Sequence, residues 1–199
     1  MTTVAAPDRI LDGALAAFLD FGMRRTNMAE IARRAGISPA TLYRRHAQKA
    51  DVVLAVGVRE AERLLALLDA TIDVTAPPLE QLTQLHLTVA EQMRGNQLLR
   101  RVLDTEPESV LPKLTLEAEP ILEIGRGYFG AFLIRLQAEG HLPAYDVRPV
   151  ADWVTRMAQS DVLTPSKDPM TEEQTRAFVR DHLAPFIRLT VTADQRKNS

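Results

Sequence analysis

The 199-residue chain has no cysteine, which excludes disulfides, thiolate chemistry and cysteine-ligated metals. It has no apolar run near the ~18 to 20 residues needed to cross a bilayer, and its opening stretch MTTVAAPDR lacks the apolar centre of a signal peptide. No membrane partner and a cytoplasmic location are therefore expected. Internal repeats and low-complexity runs are missing too. So are H-E-x-x-H, G-x-S-x-G and the P-loop, and His46, His86, His141 and His182 lie far apart in sequence. No catalytic residue, metal site or cofactor is expected from such a pattern. What remains is a chain with 46% hydrophobic residues, enough for one or two modest cores.

The net charge of −2 hides an asymmetry: residues 1–50 hold 8 Lys/Arg against 4 Asp/Glu, and the remainder 16 against 22. A basic head on an acidic body is the footprint of nucleic-acid binding. Ordinary fluctuation of surface charge is the alternative.

The basic segment contains TNMAEIARRAGISPATLYRRHAQK, residues 26–49. Asn27 and Glu30 have the spacing of a capping box, which starts a helix. Met28, Ile31, Ala32 and Ala35 recur at helical spacing and leave Arg33 and Arg34 to solvent. Gly36 ends the helix, since glycine takes the left-handed C′ conformation without a clash. Ser38 and Pro39 then supply an N-cap and a first-turn proline for a second helix reaching about His46. On that helix Leu42 and His46 share one side, while Ala40, Thr41, Arg44 and Arg45 spread over the other. Arginines able to pair with guanine, beside methyls able to meet thymine, suit the major groove. The reading is a helix-turn-helix.

The residues Phe18 and Gly22, the run IARRAGIS, Thr41-Leu42-Tyr43, and Lys49 followed by Val52 together resemble the TetR family of bacterial repressors over roughly the first quarter of the chain. The resemblance implies that Thr41, Tyr43 and Arg44 touch DNA and that Lys49 touches phosphate. The candidate DNA-binding set is Asn27, Pro39, Ala40, Thr41, Tyr43, Arg44, Arg45 and Lys49. One position departs from the family pattern: His46 stands where an aromatic is usual.

Upstream, Ile10, Leu11, Ala14, Leu15 and Phe18 form an amphipathic stripe that ends at Gly22 and braces the motif, with Phe18 and Phe21 expected to pack on Ile31 and Leu42. Arg24 and Arg25 are expected near the phosphate backbone. A helix over about 51–70 follows, with Val52, Val53, Val56, Leu64, Leu65, Leu67 and Leu68 inward and Arg59, Glu60, Glu62 and Arg63 outward. By the resemblance this helix transmits motion; a plain connector has the same pattern. The Pro77-Pro78 pair closes a loop at 71–78. Helices are then expected over Leu79 to about Arg94 and about 97–104, short turns at 105–119, a long helix from Pro120 to Ala138, another over 146–160, and a last helix capped by Thr171 and Gln174 and kinked at Pro185. The fold class expected is all-α: a three-helix DNA-binding head at 1–50, a connecting helix at 51–70, a helical body at 71–192 and a polar tail at 193–199.

Gly125-Arg126-Gly127-Tyr128-Phe129-Gly130 matches G-x-G-x-x-G, but its flanks continue at helical spacing and no strand precedes it, so a dinucleotide site is not expected. The glycines instead suit close approach of a helix or ligand.

Specific operators are usually read as two half-sites by a two-fold dimer. The last two helices are the candidate interface, through Val150, Val154, Phe178, His182 and Phe186, and TetR-like proteins dimerise this way. The resemblance also implies a small-molecule effector. Met93, Tyr128, Phe129, Phe132, Trp153 and Met157 would line an apolar pocket, with His86 and Arg126 as polar handles; residues of these types at this spacing also serve as plain core. The function expected is a ligand-responsive transcriptional regulator, a repressor that binds a palindromic operator in double-stranded DNA as a homodimer. The alternative is a helical DNA-binding regulator with no small-molecule effector, controlled by a partner protein or by abundance.

Overall fold

The structure, a computed structural model, describes residues 8–190. The tail expected at 193–199 and most of the stretch MTTVAAPDR lie outside these residues. All regular structure among them is helical, with no strand. The helices are α1 (Arg9–Phe21), α2 (Met28–Ala35), α3 (Pro39–Arg45), α4 (Lys49–Thr71), α5 (Pro78–Gly95), α6 (Gln97–Thr105), α7 (Pro107–Leu114), α8 (Glu119–Ala138), α9 (Arg148–Leu163) and α10 (Glu172–Phe178). None is long and apolar enough to cross a membrane.

The chain divides into two compact units, residues 8–63 with 96–121, and residues 64–95 with 122–190. The sequence-based division at 50 and 70 differs from this. The first unit ends inside α4, and it takes α6 and α7 from the stretch assigned to the body. The packing gives the reason. Val102 and Val110 sit in one core with Ile10, Phe18, Ile31, Leu42, Val52 and Val56, and Leu98, Leu103 and Leu114 pack against it. Three helices alone would leave those apolar faces wet, at ~25 cal/mol per Å² of area.

Local chemistry sets the ends of these helices. The Asp8 carboxylate accepts from the Ile10 N–H at 2.9 Å and starts α1. Asn27 accepts from the Glu30 N–H at 2.9 Å, so half of the expected capping box forms. The Glu30 carboxylate takes Arg33 and Arg34 instead, because an ion pair one turn along outcompetes a neutral N–H. Gly36 lies at φ 67°, ψ 33°, and the Ile37 N–H closes back on the Ala32 carbonyl at 3.0 Å. This is the Schellman closure that only a residue tolerant of left-handed backbone makes cheaply.

Several inward and outward assignments change. Phe18 is fully buried, but Phe21 is exposed and lies under the Arg34 guanidinium, 4.9 Å from its ring centroid. Arg34 is thus partly covered and paired with Asp20 at 2.7 Å and Glu30 at 2.8 Å, not left to solvent. Arg59, expected outside, is only 7% exposed. It continues the buried stripe Val52, Val56, Arg59 of α4, and its Nη1 donates to Asp12 of α1 at 2.8 Å, which neutralises the buried charge. The region 105–119 contains one ordered helix, α7, with Pro107 in its first turn and Pro112 inside it.

The second unit closes around Leu68, Leu82, Leu85, Phe132, Leu136, Val179 and Ile187. Buried Gln81 is satisfied on both sides: its amide donates to the Val74 and Ala76 carbonyls at 3.1 and 2.8 Å, and its oxygen accepts from Arg135 at 2.7 Å. The G-x-G-x-x-G stretch lies within α8. At Gly125 a Cβ would collide with the Thr155 side chain of α9, so this glycine is there for packing. Thr171 and Gln174 form a complete capping box. The kink expected at Pro185 takes the form of a π-helical turn, Val179–Leu183. A proline ring clashes with the carbonyl four residues back, and a wider turn removes that clash.

Candidate nucleic-acid interface

The helix α3 is seven residues long and buries one side chain, Leu42, which is 0% exposed. Ser38 starts it by accepting from the Thr41 N–H at 3.1 Å, and the Ser38 and Thr41 hydroxyls bond each other at 2.9 Å. Thr41 is half-exposed, while Pro39, Ala40, Tyr43, Arg44 and Arg45 are exposed, Tyr43 at 53%. Asn27, at the start of α2, is exposed as well. His46 is half-buried and ends the helix, its N–H bonded to the Leu42 carbonyl at 2.9 Å.

The two Arg-Arg pairs of the motif have different fates. Arg33 and Arg34 are held by Glu30, whose carboxyl they lower to about pKa 2 through direct hydrogen bonds. No carboxylate stands on α3, and among the described residues Arg44 and Arg45 have no hydrogen-bond or ion-pair partner. Their guanidinium groups are free for planar acceptors such as guanine edges or phosphates. Of the other basic residues, Arg25 donates to the Phe21 carbonyl and Arg24 lies 3.6 Å from Glu108. Lys49 is half-buried and donates to the Met23, Thr26 and Arg24 carbonyls at 2.8, 3.1 and 3.5 Å. Its ammonium therefore holds the α1–α2 linker in this structure.

In the second unit Phe132 lies in the core, with Tyr128 and Phe129 packed against it. Tyr128 and Phe129 meet edge to face with centroids 6.3 Å apart, and burial together with the Asp69 carboxylate pushes the Tyr128 hydroxyl well above its usual range. Phe132 is buried, with the Arg135 guanidinium 5.3 Å from its ring centroid. His86 is half-buried in a row with Phe178 and His182, at 5.8 and 5.5 Å between centroids, and burial lowers its pKa. That row joins a residue expected in a pocket to two expected in an interface. Arg126 is ion-paired with Glu123 at 2.7 Å and Asp152 at 3.2 Å. Met93, Val150 and Val154 are half-buried.

Trp153, expected in the pocket, is 47% exposed on α9 and stacks on the exposed Phe186 at 4.6 Å; Met157 is exposed one turn further along. Trp153 and Met157 occupy the outward side of α9 because Ala151 and Thr155 take the inward one. Among the described residues no three His, Asp or Glu side chains are grouped to hold a metal ion.

Known proteins share this organisation. Residues 10–56 match the family model described as bacterial regulatory proteins, tetR family. An HTH-type transcriptional regulator of Mycobacterium bovis is 28% identical over 156 residues, 77% of this chain and 78% of that protein. The fold resembles the crystal structure of the TetR family repressor AlkX from Dietzia sp., implicated in biodegradation of n-alkanes, with a TM-score of 0.71, 18% identity, and 93% of this chain and 98% of that one covered. It also resembles the transcriptional regulator FadR of Bacillus subtilis in complex with stearoyl-CoA, with a TM-score of 0.57, 18% identity, and 90% and 96% covered. Residues 10–56 thus carry the helix-turn-helix segment of the tetR family model, and the chain as a whole is similar to HTH-type transcriptional regulators.

Proposed function

We propose that this regulator is a repressor that reads a palindromic operator as a homodimer, with α3 in the major groove and Thr41, Tyr43, Arg44 and Arg45 towards the bases and backbone. The observation that carries this reading is the pair of unpartnered arginines on an exposed helix fixed by one buried leucine. Asn27, Pro39 and Ala40 are exposed in the same motif, and Lys49 opens the next helix. Dimerisation is supported by two exposed apolar surfaces. One is Trp153 with Phe186 and Met157. The other is the row Gly127, Ala131, Ile134, Ala138 on α8, exposed at intervals of four, three and four residues, the spacing at which one helix meets its symmetry mate.

The ligand reading rests on the second unit and on its relatives. A leucine-rich core flanked by Phe129 and Phe178 suits an apolar effector, and the FadR structure holds an acyl-CoA. The rival reading, a regulator without small-molecule effector, is favoured by the commitment of Arg126 to two carboxylates, which removes one of its two expected polar handles.

Selection of bound fragments from random duplexes tests the DNA reading, and a palindrome is the expected outcome. Arg44→Ala should then weaken binding to the selected duplex by ~1 to 3 kcal/mol and relax preference at one position per half-site. Unchanged preference would remove Arg44 from base recognition. Thermal unfolding with stearoyl-CoA as probe tests the ligand reading, since saturable stabilisation is expected only if the folded protein binds it.

A further inference from the structure

Between α1 and α2 the chain runs through Gly22, Met23, Arg24, Arg25 and Thr26, and this linker sets the angle between the brace and the reading helices. Its middle peptide group, from Met23 to Arg24, is held at both ends by ionised side chains. The Met23 carbonyl accepts from the Lys49 ammonium at 2.8 Å, and the Arg24 N–H donates to the Glu106 carboxylate at 2.5 Å. A trans peptide presents its N–H and C=O on opposite sides, so the peptide dipole lies between a cation and an anion and both hydrogen bonds are charge-assisted.

Glu106 is an unexpected source for this contact. It lies at the α6–α7 junction, 82 residues from Arg24 and beyond the segment that matches the family model. Its carboxylate is carried on a residue only 7% exposed. Burying a carboxylate is costly unless its oxygens are used. Gly22 makes room for it: a Cβ there would overlap Glu106 Oε1, and its φ of 80° is one that side chains disfavour. Neighbouring groups act in the same direction. Arg101 of α6 donates to the Asp20 carbonyl at the end of α1 at 3.2 Å, and the Arg24 side chain approaches Glu108.

We propose that Glu106 is a positioning residue for DNA recognition: with Lys49 it clamps the 23–24 peptide group and so fixes the reading helices against their brace. It touches no DNA itself. The inference rests on the DNA-binding reading above and adds a second role for Lys49, as the other jaw of the clamp.

The test uses the full chain and a duplex selected by the wild-type protein. Glu106→Ala should weaken that duplex about tenfold, the loss expected when a charge-assisted hydrogen bond is removed. The slope of affinity against salt should stay unchanged, because no phosphate contact is lost. Hydrogen exchange at the Arg24 amide should quicken while the Ile31 amide in α2 keeps its rate. Glu106→Gln, which keeps a neutral acceptor, should fall between the two. In a double-mutant cycle with Lys49→Met the losses should be non-additive, since both act on one peptide group. Wild-type affinity and wild-type Arg24 exchange in Glu106→Ala would overturn the proposal, as would strict additivity. If Glu106→Ala does not fold, Arg24 exchange in Glu106→Gln decides, and an unchanged rate overturns the proposal. A wild-type protein that enriches no duplex would instead refute the DNA-binding reading, leaving Arg24 exchange to report on the clamp alone.

Discussion

Leu42 is the only side chain through which α3 enters a core, so its truncation tests how the reading helix is held. Leu→Ala at a site with no exposed surface costs ~2 to 5 kcal/mol, from lost transfer energy and the cavity left behind. For a long helix that loss would be spread over many contacts. The α3 helix has seven residues, far below the ~12 to 15 at which isolated helices become even marginal in water. Its remaining ties are the partly buried Ile37 in the turn before it, the Gly36 closure and the exposed Ser38 cap, the cap worth ~1 kcal/mol. Leu42→Ala should therefore release α3 locally, below the threshold for global unfolding. A loss near 3 kcal/mol corresponds to roughly a hundredfold faster exchange at the His46 amide, which bonds to the Leu42 carbonyl. Ile31→Ala removes a side chain equally buried, but from α2 in the middle of the core. It should lower the melting temperature without singling out α3. Exchange at His46 that follows the global unfolding rate in both variants would refute this reasoning, as would selected-duplex affinity that survives Leu42→Ala.

Other outcomes follow from the same geometry. Glu30 has a folded pKa of about 2 against an ordinary 4.5. Because the folded value is the lower one, the stability it adds is complete above about 4.5 and is lost as pH falls towards 2. Glu30→Gln should lower the melting temperature at neutral pH and flatten the decline across that window; an unchanged acid limb in the variant would argue against the pairing with Arg33 and Arg34. Trp153→Glu places a charge on the stacked, exposed pair with Phe186. Sedimentation should show the proposed dimer shifting to monomer at micromolar concentration, and an unaffected dimer would move the interface to another face, with the α8 row next in line.

The local parts of this structure were legible in the sequence, and the distant pairings were not. Asn27, Gly36, Ser38 and Thr171 act on backbone groups within four residues, so spacing alone identified them. The pairing of Arg33 and Arg34 lay open in the same spacing, but the capping-box pattern claimed Glu30 for the backbone instead. Glu30 stands three and four positions before Arg33 and Arg34, where one helical turn brings them together, and no acid precedes Arg44 and Arg45 in that way. The inward turn of Arg59 depends on Asp12, 47 residues earlier, and Glu106 depends on a linker 82 residues away. No periodicity reports such distances. The exposure of Trp153 was out of reach for another reason: helical spacing identifies a face but not whether that face meets the same chain, a second copy or solvent.

The recruitment of α6 and α7 into the first unit bears on protein engineering. Exchanging sensors between regulators of this kind invites a single cut in α4, as though the reader were a detachable cassette. Here that cut would strip Val102 and Val110 from beneath the brace and leave the 23–24 peptide without its carboxylate. A workable hybrid needs two splices, carrying residues 96–121 along with the amino-terminal part, so that the incoming body would be interrupted in sequence by α6 and α7 of this chain.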